Sequence, residues 1–257
     1  MGIQHEGIKE MIWRVLVNTW RCLPVTVRNL FCRLSFAAAS EHKDAAASLR
    51  ELLALHERLE WFIDRSAIRY GGGSHPKHRL MNYHAFFISR LRQGENVLDA
   101  GCGYGQVAYT IANAGWRVTG IDFDQQRINR AQERYRNDNL SFLCGDITNL
   151  LGENSFDVVI LSNVIEHIEN REKLLHELYG RTGATRVLLR VPMSTRNWMV
   201  PLRKELGMFS YCDPTHVVEY TVDELLAELE SFGLRIVCYV VNWGEIWAEA
   251  QWHDEKP

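Results

Sequence analysis

Between Val97 and Gln106 the chain reads VLDAGCGYGQ, an apolar run containing an acid, followed by glycines at 101, 103 and 105. Glycines so spaced let backbone approach a ligand closely and adopt the unusual dihedrals of a tight strand-to-helix turn. A dinucleotide turn calls for a third small residue five positions after Gly101, but Gln106 stands there, which counts against a pyrophosphate ligand. Asp99 would repel a phosphate and suits a cationic or amine-bearing ligand. The next such segment, VTGIDFD, places Asp122 where a carboxylate can accept two hydrogen bonds from a ribose diol. In FLCGDI, Asp146 is placed to accept one from an exocyclic adenine amine. A fourth segment, FDVVILSNVIEHI, ends in polar groups of its own. Four strand tips therefore carry a glycine turn or polar groups suited to an aminoacyl-nucleoside.

Positioning such tips takes strands that end on one side of a sheet. Apolar runs at Asn96–Ala100, Arg117–Ile121, Leu140–Cys144, Phe156–Leu161 and Arg186–Val191 alternate with amphipathic stretches at Tyr104–Ala114, Gln125–Asn137, Arg171–Arg181 and Val222–Ser231. Two closing strands fall within Leu234–Val241 and Glu245–Gln251. Alternation of this kind predicts an α/β fold, doubly wound, with a mostly parallel sheet covered on both faces. The sheet is preceded by an N-terminal helical extension, residues 1–70. In it Ile12, Trp13, Leu16, Val17 and Trp20 share a helical face, Pro24 interrupts, and Leu49, Leu52, Leu53, His56, Leu59 and Ile63 recur at helical spacing. The triplet Gly71–Gly73 reads as the loop that ends it.

With 257 residues, 46% of them hydrophobic, the chain can bury one principal core with an appendage. The formal charge of −3 offers no global field for nucleic acid. The six cysteines show no metal-knuckle spacing and suit a reducing, cytoplasmic setting. No secretory signal and no uncharged apolar run of about eighteen residues occurs, so the expectation is a soluble protein, at most peripheral to a membrane. Residues 1–36 carry five basic against two acidic side chains, a surplus that suits contact of residues 11–36 with an anionic membrane surface. Docking of the same apolar faces on the main domain or on a second subunit is the preferred alternative. The oligomeric state is not assigned by any of these features.

Over residues 75–251 the combination VLDAGCGYG, GID, GDI and FDVVILSNVIEH resembles the class I S-adenosylmethionine-dependent methyltransferases. It looks most like the ubiquinone-biosynthesis O-methyltransferases and somewhat like the small-RNA 3′-terminal 2′-O-methyltransferases. The resemblance implies a Rossmann-like, seven-stranded sheet with the last strand antiparallel, S-adenosylmethionine as cofactor, and a methyltransferase domain over 71–257. It assigns Gly101 (with Gly103 in the same turn) to the methionyl part, Asp122 to the ribose, Asp146 to the adenine and Ser162 to a further cofactor contact. Arg79, in HPKHRLMNYH, matches an arginine that meets the methionyl carboxylate, which a guanidinium can grip bidentately.

A sulfonium already makes its methyl electrophilic, so the protein must align an acceptor and unmask its lone pair. Glu166 and His167, past the fourth strand, and His216, in YCDPTHVVEY, are the candidate catalytic residues. In the two similar families a glutamate and then a glutamate-histidine pair bind metal, and in the RNA enzymes a later histidine completes the set; here Asn163 replaces the first glutamate. Two mechanisms stand: Glu166, His167 and His216 hold a magnesium- or zinc-like ion, or the histidines act without metal, the version preferred on the loss of that charge. The bland reading is that Glu166-His167 caps a helix and Asp213-Pro214-Thr215 is an ordinary turn.

Residues 192–220 are long for a connector and are expected to form an acceptor-site insertion or lid, with Trp198, Met199, Phe209 and Tyr211 as an apolar wall and Arg196, Arg203 and Lys204 meeting an anionic group. The expected acceptor is a small molecule, a glycan or a lipid-linked intermediate, since the GGGSHPKHR lead-in also resembles enzymes of bacterial surface-saccharide pathways. RNA 2′-O-methylation is the rival enzymatic reading, disfavoured by the acidic balance. A non-catalytic S-adenosylmethionine-binding subunit is the third.

Overall fold

Pro24 has no backbone N–H and its ring excludes a continuing helical turn, so the N-terminal region breaks there into helices Gly2–Cys22 and Val25–Ser40. In this computed structural model residues 2–146 and 156–253 are described, with side chains from residue 10 onward. The chain divides into two compact units, Met1–Ser66 and Ala67–Pro257. In the first unit, the break lets Trp20 and Phe31 meet edge to face at 5.6 Å. The buried Ser48 hydroxyl donates to Ala39 O at 2.7 Å and ties the second helix to the third, Ala45–Tyr70. Ile12, Trp13, Leu16, Leu30, Phe31 and Leu34 each stay half or more exposed. The third helix closes on the glycine triplet, where Gly73, at φ +93°, donates to Ile68 O.

The second unit is built on seven strands: β1 (Asn96–Ala100), β2 (Arg117–Asp122), β3 (Leu140–Cys144), β4 (Val158–Ser162), β5 (Arg186–Pro192), β6 (Leu234–Asn242) and β7 (Glu245–Trp252). Their order is β3-β2-β1-β4-β5-β7-β6, with β7 antiparallel to both neighbours. Successive residues of β1 enter opposite cores: Val97 packs with Val118, Val158 and Ile160, while Leu98 packs with Ile121, Val159 and Leu161. The chain winds outward from β1 to β3 and returns to start again at β4, so strand order reverses between β1 and β4. In open sheets the ligand crevice forms outside the carboxyl ends of the strands at that reversal. Buried cations on β5 are neutralised from β7: Arg186 by Glu249 (and by Glu95), and Arg190 by a bidentate Glu245 at 2.6 and 2.7 Å.

Boundaries shift for local reasons. The helix expected from Tyr104 starts at Gln106, because Gly105 at φ +75° holds the chain in the left-handed region until then. The helix expected to reach Asn137 ends at Arg134, where Tyr135 turns extended and stacks on Tyr109 at 4.3 Å. β4 starts two residues late, because Phe156 and Asp157 donate outside the ladder, to Thr182 O and Asn96 O. Four short pieces were not foreseen: helices Lys77–Met81, Tyr83–Arg90 and Met199–Glu205, and the 3-10 turn Ile165–His167.

Candidate functional site

Gly101, Gly103 and Gly105 all take positive φ, at +78°, +54° and +75°. Their surroundings differ. A Cβ on Gly105 would lie 2.5 Å from the Phe142 ring, and one on Gly101 would lie 2.6 Å from Val164 Cγ2, whereas one on Gly103 would meet open space. The outer glycines thus permit packing, and the middle one leaves the mouth of the turn bare. Gly101 and Cys102 N–H both donate to Ile121 O, at 2.8 and 2.9 Å, which fastens the turn to the end of β2.

The two acids at this corner take different places. Asp122, 3% exposed, accepts from Gly103 N–H at 2.8 Å through Oδ2 and from Asp124 N–H at 2.9 Å through Oδ1, so it is held against the glycine turn. Each oxygen keeps a second lone pair for a hydroxyl. Asp99, which the sequence assigned to the ligand, is 1% exposed beneath the turn. Its Oδ2 accepts from Ala108 N–H at 3.0 Å, bracing the following helix from below. Burial pushes its carboxyl up to about 7, the Ala108 bond opposing.

Ser162 ends β4 and accepts from Arg190 at 3.3 Å. The Arg190 guanidinium lies 3.8 Å over the Tyr83 ring, and the Tyr83 hydroxyl bonds His78 Nδ1 at 2.6 Å. Through these contacts the histidine-rich lead-in reaches the β4 tip, and Ser74 Oγ joins Gln106 Oε1 at 3.2 Å. Arg79 itself is exposed on helix Lys77–Met81, and Asp146 is exposed just after β3.

Past β4, Asn163 turns at φ +57° and Val164 packs against Gly101, so the 3-10 turn bearing Glu166 and His167 is set beside the glycine turn. Val217 N–H donates to Glu166 O at 2.8 Å, and Thr215 Oγ1 meets His167 Nδ1 at 2.8 Å. These contacts bring in His216, whose ring stands edge to face with that of His167 at 4.6 Å. A carboxylate oxygen of Glu166 and one nitrogen from each histidine lie within 4.8 Å of one another, so the three sequence-predicted catalytic residues do converge. Glu166 is wholly buried and, among the described residues, neither carboxylate oxygen has a hydrogen-bond partner. Burial pushes its carboxyl up to about 7, against the opposing pull of its own backbone N–H and the His216 and Arg190 charges. Burial, then His216, lowers His167.

Sequence reasoning missed Glu219 and misplaced Arg196. Glu219, with its side chain fully buried, accepts from Cys212 N–H at 2.6 Å, bonds His216 Nδ1 at 3.1 Å and pairs with Arg196. Arg196 is therefore spent on an internal acid rather than offered to an anionic ligand, and Arg203 is buried. The signal available was His216-Val217-Val218-Glu219, a three-residue spacing that brings the two side chains together in this turn. Trp198, 70% exposed, and Phe209, 48%, form no closed wall. A cavity of 380 Å³ lies in the same segment, with Ser194, Lys204, Tyr211 and Glu219 in its lining. A larger one of 710 Å³, against Gln132 and Phe142, touches none of the titratable residues of the site.

The sheet order, the glycine turn at its reversal and the antiparallel seventh strand are those of the class I S-adenosylmethionine-dependent methyltransferase fold. Residues 98–182 match a family described as "Methyltransferase domain". The chain is 38% identical over 126 residues to a ubiquinone biosynthesis O-methyltransferase of Rickettsia felis, covering 48% of this chain and 43% of that protein. It is 32% identical over 126 residues to the ribosomal protein L11 methyltransferase of Thermotoga maritima, covering 48% and 45%. It thus spans less than half the length of these relatives. Among solved structures, magnesium protoporphyrin IX methyltransferase from Synechocystis with bound SAH aligns at a TM-score of 0.56 and 22% identity, over 73% of this chain and 86% of that one. The glycopeptide N-methyltransferase MtfA complexed with S-adenosyl-L-methionine aligns at 0.53 and 16%, over 67% and 87%.

Proposed function

We propose that this chain transfers the methyl group of S-adenosylmethionine to an oxygen of a small-molecule, glycan or lipid-linked acceptor. The observation that carries the reading is the contact of Val164 with Gly101, which sets Glu166, His167 and His216 beside the turn that would hold the cofactor. The bare mouth at Gly103, with Asp122 against it, suits the ribose, Asp146 the adenine, Gly101 and Arg79 the methionyl part, and Ser162 a further contact to the cofactor. The cofactor supplies an electrophilic methyl; the chain's own residues align the acceptor and take its proton. In the preferred version His216 or His167 accepts that proton, with Glu166 opposite to balance the charge.

A second version has one observation in its favour: the buried, partnerless oxygens of Glu166. With His167 and His216 they form a donor set that fits a divalent ion, which would lower the pKa of the acceptor hydroxyl. Elemental analysis of the purified protein, and methyl transfer measured with a chelator against added magnesium, manganese and zinc, separate the versions.

The acceptor segment is proposed as residues 192–220, and the 380 Å³ cavity there supports this. Membrane proximity is supported by the exposed Ile12, Trp13, Leu16, Phe31 and Leu34 beside the exposed Arg21 and Arg33. The test is calorimetry with S-adenosylmethionine and its demethylated product, followed by labelled-methyl transfer into lipid, saccharide and RNA extracts. Binding with label in the lipid or saccharide pool is expected. Absence of cofactor binding sinks the reading, label in RNA replaces the acceptor, and tight binding without label favours a sensor.

A further inference from the structure

Around His216 the fold has built something a plain turn does not need. Arg196 Nη1 and Nη2 are pinned to Met193 O at 3.2 Å and Ser210 O at 3.0 Å, and the same guanidinium pairs with Glu219. An arginine stays protonated throughout the working range, so its buried partner is held as a carboxylate, which can only accept hydrogen bonds. Glu219 Oε1 takes one from Cys212 N–H and lies 3.1 Å from His216 Nδ1. That nitrogen must therefore carry a hydrogen. Cys212 Sγ also lies 3.8 Å from this nitrogen, but sulfur is a weak hydrogen-bonding partner beside a carboxylate. Both the Glu219 side chain and the His216 ring are almost entirely out of water, at 0% and 5% exposure, so no solvent exchange offers an alternative partner.

We propose that Glu219, clamped by Arg196, is a positioning residue that fixes His216 as its Nδ1–H tautomer and leaves Nε2 as the nitrogen with a lone pair for the Glu166–His167 cluster. This rests on the reading of that cluster as the methyl-transfer site, and holds whether Nε2 receives the acceptor's proton or a cation. Which ring nitrogen of a histidine is reactive is set by the bond the other one makes. Supporting acids behind a functional histidine orient the ring and raise its basicity. The arrangement also accounts for residues 193–220 folding back on the 3-10 turn: Arg196 and Glu219 come from the two ends of that segment, and their pairing shuts it around His216.

The test uses the full-length chain, chelator-treated and labelled with 15N-histidine, with His216 assigned by the signal lost in His216→Gln. At about pH 8 the wild type is expected to show a protonated Nδ1 and a bare Nε2. Glu219→Gln is expected to move His216 toward the Nε2-protonated form and to lower kcat roughly 10- to 100-fold, with S-adenosylmethionine affinity changed less than about threefold. A wild-type His216 protonated on Nε2, or a tautomer unmoved by Glu219→Gln, overturns the proposal. The wild-type spectrum decides the first point even where Glu219→Gln does not fold. If the tautomer behaves as expected while the wild type methylates nothing, the positioning stands and the methyl-transfer reading falls.

Discussion

Glu166 holds a wholly buried carboxyl whose side-chain oxygens find no hydrogen-bond partner elsewhere among the described residues, and the cost of that position depends on pH. Its carboxyl is raised from 4.5 to about 7 by burial, so between those values the folded chain keeps a proton that the unfolded chain has lost. Stability therefore falls as pH rises from about 4.5 to about 7 and stays low above, by at most about 3 kcal/mol. Glu166→Gln removes this slope. Its thermal midpoint should match wild type near pH 5 and exceed it near pH 8, while methyl transfer drops by two or more orders of magnitude. Asp99, also raised to about 7, adds the same slope to both proteins and cancels from the comparison. Replacing His167 or His216 by Ala should likewise cut turnover by orders of magnitude with cofactor affinity nearly intact in calorimetry; a large loss of affinity would place these rings on the cofactor instead. At this scale the titratable types were legible, because a glutamate-histidine pair after a strand and a histidine in a turn are visible as letters. Their partners were not: the Arg196–Glu219 pair spans 23 residues, and nothing local announces that an arginine in a loop is committed to a buried acid.

At the scale of elements the glycine turn gives a test by contrast. Gly105→Ala puts a methyl into the Phe142 ring at 2.5 Å in addition to the left-handed strain, so it should lower the unfolding midpoint strongly. Gly103→Ala meets nothing, so only the backbone strain of roughly 1–2 kcal/mol applies. Its effect should appear instead as about a tenfold or greater loss of S-adenosylmethionine affinity by calorimetry. Equal stability losses with unchanged affinity would show that the middle glycine faces no ligand. The strands were readable because a parallel sheet covered on both faces buries its central strands almost continuously, as in β1, β4 and β5, while β3 at the sheet edge buries only Phe142. The short helices Lys77–Met81 and Tyr83–Arg90 were not, since Asn82 at φ +52° divides them into pieces too brief for a periodicity to show. Helix Met199–Glu205 hides for another reason: Pro201 lies in its first turn, where the missing N–H costs nothing, but in a string of letters it reads as a breaker.

For the whole molecule, the two units differ in how they treat apolar side chains: the described residues of the second unit build two buried cores around the sheet, while helices Gly2–Cys22 and Val25–Ser40 leave large ones exposed among basic residues. The full-length chain is expected to co-sediment with phosphatidylglycerol vesicles, less so with neutral ones, and to be released as salt rises. Trp13→Glu with Leu16→Glu should reduce that binding about tenfold or more without changing cofactor affinity. Unchanged sedimentation would remove the membrane, and a concentration-dependent dimer abolished by the same pair would put a second copy in its place. Charge and amphipathicity of this segment were plain in the sequence, but what covers an apolar face is not written in the face itself. The sheet carries one more consequence. Because β7 slots between β5 and β6, the ribosome delivers Arg186 and Arg190 63 and 55 residues ahead of the glutamates that neutralise them. A nascent chain halted after Gly244 would hold Arg190 without its carboxylate partner and Arg186 with Glu95 alone, and would be left to proteases rather than completed as a smaller fold.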